Sequence, residues 1–320
     1  MKATILLMSA DEADMLRHSL PAALAQGAEE VVVLDNASGD DTEAVAREHG
    51  ATYLRLPERR SYAEAMNEGI RRTGGDALLF LNADCFLAPG FLAHALARLE
   101  ADPTVGSVAP KLVRCEGPAP HQRLDALDAA GMVVDRRRKN TLVGHGRPAL
   151  AYDEAGEAFG ADGAAALYRR ATLEDCAVEG EIFDPDLELW ASDVDLAWRA
   201  RLLGWRCAYE PRALAYHVRY YSPSTRARVP AAHRRLQFRN RYLMIVKNDT
   251  AGALLRDLPR IAAYELLALA YALLWERTLL RGYAEAARLL PAAWRRRRVI
   301  QRRRRERGVP GAPLGLEPAP

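Results

Sequence analysis

Residues 78–86, LLFLNADCF, decide how this chain is read. Leu78, Leu79, Phe80 and Leu81 make an apolar run suited to a strand buried on both faces of a parallel sheet, and Asn82-Ala83-Asp84 ends it abruptly in a carboxylate. In an open parallel sheet, ligands gather beyond the carboxyl ends of the strands. Side chains alternate along an extended segment, so Asn82 and Asp84 point the same way. Two oxygen-bearing side chains so placed suit a hard divalent cation that also meets phosphate oxygens. Asn and Asp also open turns after strands, so the pattern gains meaning only from its neighbours.

Those neighbours repeat the arrangement. Residues 3–8 form a short apolar run closed by Ser9-Ala10-Asp11-Glu12, and Leu16, Leu20, Ala23 and Leu24 carry helical spacing up to Gly27. Residues 31–34 are a second buried strand that runs into Asp35-Asn36-Ala37-Ser38-Gly39-Asp40-Asp41. Asp40 or Asp41 caps a helix through His49, and Gly50 closes it. Residues 52–56 make a third strand, followed by a helix over 62–72 that ends at Gly74-Gly75. After the LLFLNAD strand comes a helix over about 89–100, with Pro89 in its first turn, and then a strand over 105–109. Alternating strands and helices on short loops predict right-handed βαβ units around a mainly parallel central sheet flanked by helices. No GxGxxG follows the first strand and no GxxxxGK[ST] occurs, which argues against a dinucleotide-binding Rossmann site and a P-loop. The acids at the strand ends must do the work of those glycine loops.

Between 114 and 158 the pattern blurs. Pro118, Pro120, Gly144, Gly146 and Pro148 interrupt it, and Val133-Val134 with Leu142-Val143 suggest a hairpin at most, so this stretch reads as a variable insertion. Order returns at 159–170, with a helix to about 177. Leu196, Arg199, Leu202 and Leu203 then mark an amphipathic helix that places Asp193 and Asp195 at its N-terminus and stops at Gly204. Residues 207–209 and 213–217 read as strands, the second ending in His217.

The totals fit a soluble chain of 320 residues, 49% apolar and 27% charged, large enough for one sizeable domain and an appendage. The net charge of +3 hides an uneven distribution, with eight arginines inside residues 295–305. Four scattered cysteines show no metal-ligand spacing and predict a reduced, cytoplasmic chain, and the opening residues turn acidic too soon for a signal peptide.

The chain resembles the family 2 glycosyltransferases of GT-A fold, in their bacterial rhamnosyltransferase-like branch. The matching segments are Val31–Thr42, Asn67-Glu68-Gly69, Leu79–Asp84, Asp162-Gly163-Ala164, Phe183-Asp184-Pro185, Asp193-Val194-Asp195-Leu196 with Arg199, Gly204-Trp205-Arg206 and Tyr216-His217. The resemblance covers residues 1–245 and implies an inverting, metal-dependent transfer of a sugar, plausibly rhamnose, from a dTDP- or UDP-linked donor to a cell-surface glycan or lipid-linked acceptor. It implies that Asp35 binds the base, with Ser9, Asp11, Asn67, Asn82 and Ala83 on the nucleotide side. Asp84 and His217 would hold Mg²⁺ or Mn²⁺, and Asp193 would be the general base. Gly163, Trp190, Asp195 and Arg199 would border the acceptor and sugar. The family's acidic residue before the base is Ser192 here.

Chemistry supports those roles. A nucleoside diphosphate leaves with concentrated negative charge that a divalent cation stabilises, and the attacking hydroxyl must lose a proton to a facing carboxylate. A helix N-terminus is expected to keep Asp193 ionised. Plainer readings stand beside these: Asp35 as a turn residue, Asp193 and Asp195 as helix caps, His217 as a structural histidine. A sugar nucleotidyltransferase would need a glycine- and lysine-rich loop after the first strand, and residues 9–14 carry none. A catalytically silent nucleotide-sugar-binding scaffold is the remaining alternative.

Past His217 lies a basic, aromatic segment, including Arg219-Tyr220-Tyr221-Ser222, whose arginines are expected to meet the diphosphate. Residues 261–275 (IAAYELLALAYALLW) are strongly apolar but too short for a confident membrane span. They predict either an interfacial helix on the inner face of the cytoplasmic membrane, with the arginine run on anionic headgroups, or a helix packed on the catalytic domain. No nucleic-acid-binding module accompanies the arginines. The expected division is a catalytic domain over 1–245, a helical region over 246–307 and a disordered tail over 308–320.

Overall fold

The computed structural model describes residues 1–220 and 223–320, so Tyr221 and Ser222 of the basic segment lie outside the described residues. In chain order the elements are β1 (Ala3–Ser9), α1 (Ala13–Leu24), β2 (Glu30–Asp35), α2 (Thr42–Glu48), β3 (Thr52–Arg55), α3 (Tyr62–Arg71), β4 (Ala77–Asn82) and β5 (Cys85–Leu87). There follow α4 (Phe91–Ala101), β6 (Val105–Cys115), β7 (Arg123–Ala129), β8 (Met132–Val134), β9 (Asn140–Leu142), β10 (Gly156–Ala158) and β11 (Ala165–Arg169). The last are α5 (Arg170–Cys176), α6 (Ser192–Leu202), β12 (Arg206–His217), α7 (Ala231–Asn248), α8 (Ala251–Leu274) and α9 (Thr278–Glu306).

The main sheet runs β10-β12-β6-β11-β4-β1-β2-β3, with β5 on β12 and β7 on β6. Strands β3, β2, β1 and β4 are parallel, as are β6 and β12, while β11 lies antiparallel between β4 and β6. The register sets Ser9 beside Asp35 and Met8 beside Asn82, so the acid-bearing strand ends finish at one edge.

The apolar run of β4 explains why the sheet is covered on both sides. Leu79 and Leu81 join a core formed with Leu16, Leu20, Phe91 and Leu99 of α1 and α4. Leu78 and Phe80 face the other way, into a core with Met66, Ile70, Leu196 and Leu203 from α3, α6 and its C-terminal end. Packing is closest at Gly69 of α3, where a Cβ would come within 2.8 Å of Leu34 and 2.9 Å of Leu6. That explains a glycine inside a helix despite its conformational cost.

The stretch over 114–158 is more ordered than its sequence suggests. β6 continues to Cys115, β7 pairs back on it, and β8 and β9 form the expected hairpin. The helix expected to about residue 177 is α5, and residues 165–169 in the ordered stretch before it form strand β11. The two strands expected over 207–217 are one strand with a register shift between Glu210 and Leu214. All four cysteines are free and buried.

The C-terminal helices are bolted to this body by buried charges. Arg138, in the turn between β8 and β9, is fully buried and reaches Asp249 at 2.8 Å and Asp257 at 2.7 Å. Much of the arginine run points inward rather than to solvent. Arg296 pairs with Asp184 at 2.9 Å, Arg297 donates to the Val246 carbonyl at 2.6 Å, and Arg303 to the Ala177 carbonyl at 2.7 Å. Arg298, Arg302 and Arg305 stay exposed. Past α9, the Gly315 N–H donates to the Val134 carbonyl at 2.8 Å. Among the described residues, no helix is long and apolar enough to cross a membrane.

Candidate active site

A cleft of about 660 Å³ opens at the strand ends, walled by the ends of β1, β4 and β12, the loop before α6 and the first turns of α7. Asn82, Asp84, Gly163, Trp190, Asp193 and His217 all line it.

Strand pairing brings Asp84 and His217 together. β12 runs antiparallel to β5 with His217 opposite Cys85, and the Val218 N–H donates to the Asp84 carbonyl at 3.1 Å. His217 Nε2 thereby lies 3.4 Å from Asp84 Oδ1. Its Nδ1 lies 2.8 Å from Oδ2 of Asp128, a fully buried residue of β7. Arg219 Nε reaches both Asp128 oxygens, at 2.7 and 2.9 Å, and its Nη2 reaches Asp162 at 2.8 Å. Burial resists charge on His217, but the Asp84 carboxylate and the Asp128 hydrogen bond outweigh it and raise the pKa to about 9. Burial works against Asp128 as well, yet His145, His217 and Arg219 hold its carboxyl well below the usual range.

This corner fits a divalent cation. Asp84 Oδ1 is buried and faces His217 Nε2 at 3.4 Å, and that imidazole is oriented by a carboxylate on its other nitrogen, as in many metal sites. Among the described residues no group of three or more His, Cys, Asp or Glu side chains gathers where it could hold a metal.

The base candidate stands on the opposite wall. Glu188 and Ala191 both take positive φ, 59° and 67°, where the chain turns into α6. Asp193 Oδ1 accepts from its neighbour Val194 N–H at 2.8 Å, and Oδ2 from Gly163 N–H at 3.2 Å. Burial, then the nearby Asp162 charge, push its pKa up to about 6. The helix terminus was expected to keep this acid strongly ionised, and desolvation outweighs it. At neutral pH the carboxylate form still dominates. Ser192 also lines the cleft, and its Oγ is buried without a partner.

Seven of the residues expected in the site lie outside the cleft wall. Asp195 is fully buried, where it meets Arg199 at 3.1 Å, Asn248 at 2.7 Å and Lys247 at 2.9 Å. Arg199 itself caps the Ile182 carbonyl at 2.6 Å. Helical positions two apart point roughly 200° apart, so Asp193 and Asp195 cannot share a face. Asn67 exchanges two 2.8 Å hydrogen bonds with the Phe183 backbone and ties α3 to the loop before α6. Ser9 is buried against Thr42 at 3.1 Å, and Ala83 is wholly buried. Asp35 is fully buried and occupied by the Ser38 N–H at 2.8 Å, the Tyr53 hydroxyl at 2.5 Å and Arg55 at 2.7 Å. Burial opposes its ionisation, but these partners lower its pKa below the ordinary value. Asp11 pairs with cleft-lining Arg59 but does not itself line the cleft.

Other groups were not foreseen as site residues. Asp128 and Asp162 come from segments that sequence patterning left unassigned or unranked. Arg219, expected to be free for the diphosphate, is locked between them. Glu12 shares the cleft, and burial followed by the Asp84 charge lifts its pKa to about 7. Arg59, Arg60 and His233 complete a basic rim, with the His233 ring edge-on to Trp190 at 6.3 Å.

A parallel sheet with an antiparallel insert, and an acid–histidine pair facing a helix-borne carboxylate across a cleft, define a GT-A-type fold. The sequence pattern of Glycosyl transferase family 2 matches residues 4–176, more than half of the chain, and the chain belongs to that family. It is 22% identical over 219 residues to poly-beta-1,6-N-acetyl-D-glucosamine synthase of Staphylococcus aureus, covering 67% of this chain and 49% of that protein. The chain thus spans about half the length of the curated relatives it matches. Among solved structures, GalNAc-T7 with UDP, GalNAc and Mn²⁺ superposes with a TM-score of 0.61 at 14% identity, over 77% of this chain and 48% of that one. S. aureus TarS 1–349 with UDP-GlcNAc gives 0.59 at 15% identity, over 96% and 88% of the two chains. The mannosyltransferase PcManGT from Pyrobaculum calidifontis, with GDP-Man and Mn²⁺, gives 0.53 at 21% identity, over 96% and 86%.

Proposed function

We propose that this chain is an inverting glycosyltransferase. It moves a sugar from a nucleoside-diphosphate donor to a hydroxyl of a growing cell-surface glycan or lipid-linked acceptor, with Mg²⁺ or Mn²⁺ on the diphosphate. The observation that carries the reading is the sharing of one cleft by the Asp84–His217 pair and the Asp193 carboxylate. Residues 1–245 are the catalytic part, 246–307 the helical part and 308–320 a tail.

Asp84 and His217 would hold the cation, with Asp128 fixing the imidazole so that Nε2 faces it. When bound, the cation supplies charge neutralisation for the departing diphosphate. Asp193 takes the proton of the acceptor hydroxyl. The acceptor oxygen then bonds the anomeric carbon while the bond from that carbon to the diphosphate oxygen breaks, and its electron pair leaves with the diphosphate. Asp162 is held by Arg219 and by the Ala164 N–H at 2.9 Å, which leaves Asp193 as the proton acceptor. Direct attack of the acceptor oxygen, with Asp193 as base, gives inversion at the anomeric carbon. The rhamnosyltransferase-like motifs make dTDP-rhamnose the first donor to test. UDP-GlcNAc is the second, on the names of the relatives.

A thermal-shift panel of nucleotides and nucleotide sugars with and without Mn²⁺ tests this reading. A ligand at about 100 times its Kd stabilises the native state by about 2.7 kcal/mol. The expected result is a rise in Tm with dTDP or UDP that requires Mn²⁺ and is lost in Asp84→Asn. No shift with any nucleotide would contradict it.

A further inference from the structure

We propose that the outer face of α8 docks on an anionic lipid bilayer and presents the cleft to a lipid-linked acceptor. The docking surface stands on its own observations, and the acceptor rests on the glycosyltransferase reading.

Among the described residues the face is apolar and exposed. Leu258, Leu266, Leu267, Leu273, Leu274 and Trp275 are 50%, 70%, 71%, 49%, 69% and 71% exposed. The five leucines fall within about half the helix circumference, opposite the side through which the helix meets the body at Asp257, Ile261 and Ala272, and Trp275 follows directly at the helix end. Isolated exposed leucines are ordinary, but a continuous stripe of them marks an interaction surface. Tyr271 stacks with Trp275 at 6.0 Å, a pairing of ring types found where proteins meet the membrane–water boundary.

Charge is sorted between the two sides of the same segment. Its acids all turn inward. Asp257 meets Arg138 at 2.7 Å, Glu265 accepts from the Tyr242 hydroxyl at 2.5 Å, and Glu276 pairs with Arg226 at 3.1 Å and Arg234 at 2.5 Å. Arg256, Arg260, Arg277 and Arg281 remain exposed. Residues 250–305 present no exposed acid among those described. An apolar stripe rimmed only by guanidinium groups complements acyl chains beneath anionic headgroups. A second copy of this chain fits it poorly, because a symmetric contact would set arginine rims together with no acid to pair them. The helix lies on the bilayer rather than crossing it.

The position of α8 gives the docking a purpose. Arg234, which pairs with Glu276 at its end, directly follows cleft-lining His233. Docking therefore holds the acceptor side of the cleft beside the headgroups.

The test is co-sedimentation of the full chain with phosphatidylcholine vesicles, with and without phosphatidylglycerol, alongside light scattering. The wild type is expected to bind anionic vesicles roughly a hundredfold more tightly than neutral ones at low salt. Arg260→Gln/Arg277→Gln/Arg281→Gln should remove most of that preference. Leu266→Gln/Leu267→Gln/Leu274→Gln should weaken binding to anionic vesicles by at least about tenfold. Both variants change exposed side chains and should keep the Mn²⁺-dependent nucleotide shift. Wild-type protein left in the supernatant, or a leucine variant that binds normally, would overturn the proposal. So would a wild-type dimer, made monomeric by the leucine changes, that ignores vesicles. Vesicle binding without any nucleotide shift would support the surface while sinking the sugar-transfer reading.

Discussion

Asp193 and Asp195 stand two residues apart on the first turn of α6, yet they belong to different machines. Asp193 faces the cleft with Gly163 N–H and Val194 N–H as its hydrogen-bond donors, and its pKa is pushed up to about 6. Asp195 is sealed behind the helix among Lys247, Arg199 and Asn248, joining the catalytic body to α7. The carboxylate proposed as base meets only backbone N–H donors among the bonds described, whereas Asp195 is bound by three side chains, two of them cationic. Proximity in sequence says little about role on a helix, because two residues are just over half a turn.

The sharpest break in that comparison is kinetic. Asp193→Asn should lower turnover by roughly 10²–10⁴-fold while leaving donor affinity in Mn²⁺ near wild type, measured by initial rates and calorimetry. Asp195→Asn should instead lower stability by about 3 kcal/mol in denaturant titration, since it strips a partner from buried cations. If the Asp195 variant proved inactive but fully stable, the division between front and back would fail.

The metal side gives the next effect. Asp128→Asn should weaken Mn²⁺ binding about 10–100-fold, read by electron paramagnetic resonance, because the amide no longer orients His217 as a carboxylate does. Unchanged affinity would make Asp128 a purely structural acid.

A smaller effect is the pH profile. As the proposed base, Asp193 would act only when ionised, and its folded pKa of about 6 lies above the ordinary value. Activity should therefore be full above that pH and fall about tenfold per unit below it. Because the raised pKa means that folding favours the protonated form, ionising Asp193 costs stability as pH rises through about 6. Asp193→Asn should lose that dependence.

The smallest expected change belongs to Ser192, whose buried Oγ has no partner. Ser192→Ala should shift stability by under about 1 kcal/mol, since it removes an unsatisfied group along with its hydroxyl. Replacing it by the family's acid, Ser192→Glu, should raise the acid limb of the pH profile by placing like charge beside Asp193.

The strand ends were legible because β1, β2 and β4 are short apolar runs broken by acids, and Asp84, Asp193 and His217 sit where that pattern put them. Asp128 was not, because its partners His217 and Arg219 lie 89 and 91 residues away. β11 was missed because its five residues, AALYR, carry no alternation, being buried against β4 on one side and β6 on the other. Asp195, Arg199 and Asn67 fit the family motifs, but their side chains bond to neighbouring elements rather than line the cleft, a distinction that only side-chain direction could make. The arginine run looked like a free basic surface, and its inward half proved to clamp α9 onto carbonyls and acids of the body.

The central claim is that the cleft transfers a sugar with Asp193 as its base. It is tested most directly by a single-turnover assay of wild type and Asp193→Asn, with dTDP-rhamnose or UDP-GlcNAc, Mn²⁺ and a lipid-linked acceptor. The wild type should give product with inverted anomeric configuration, and the variant should bind the donor without transferring its sugar. Equal transfer by both proteins would contradict it.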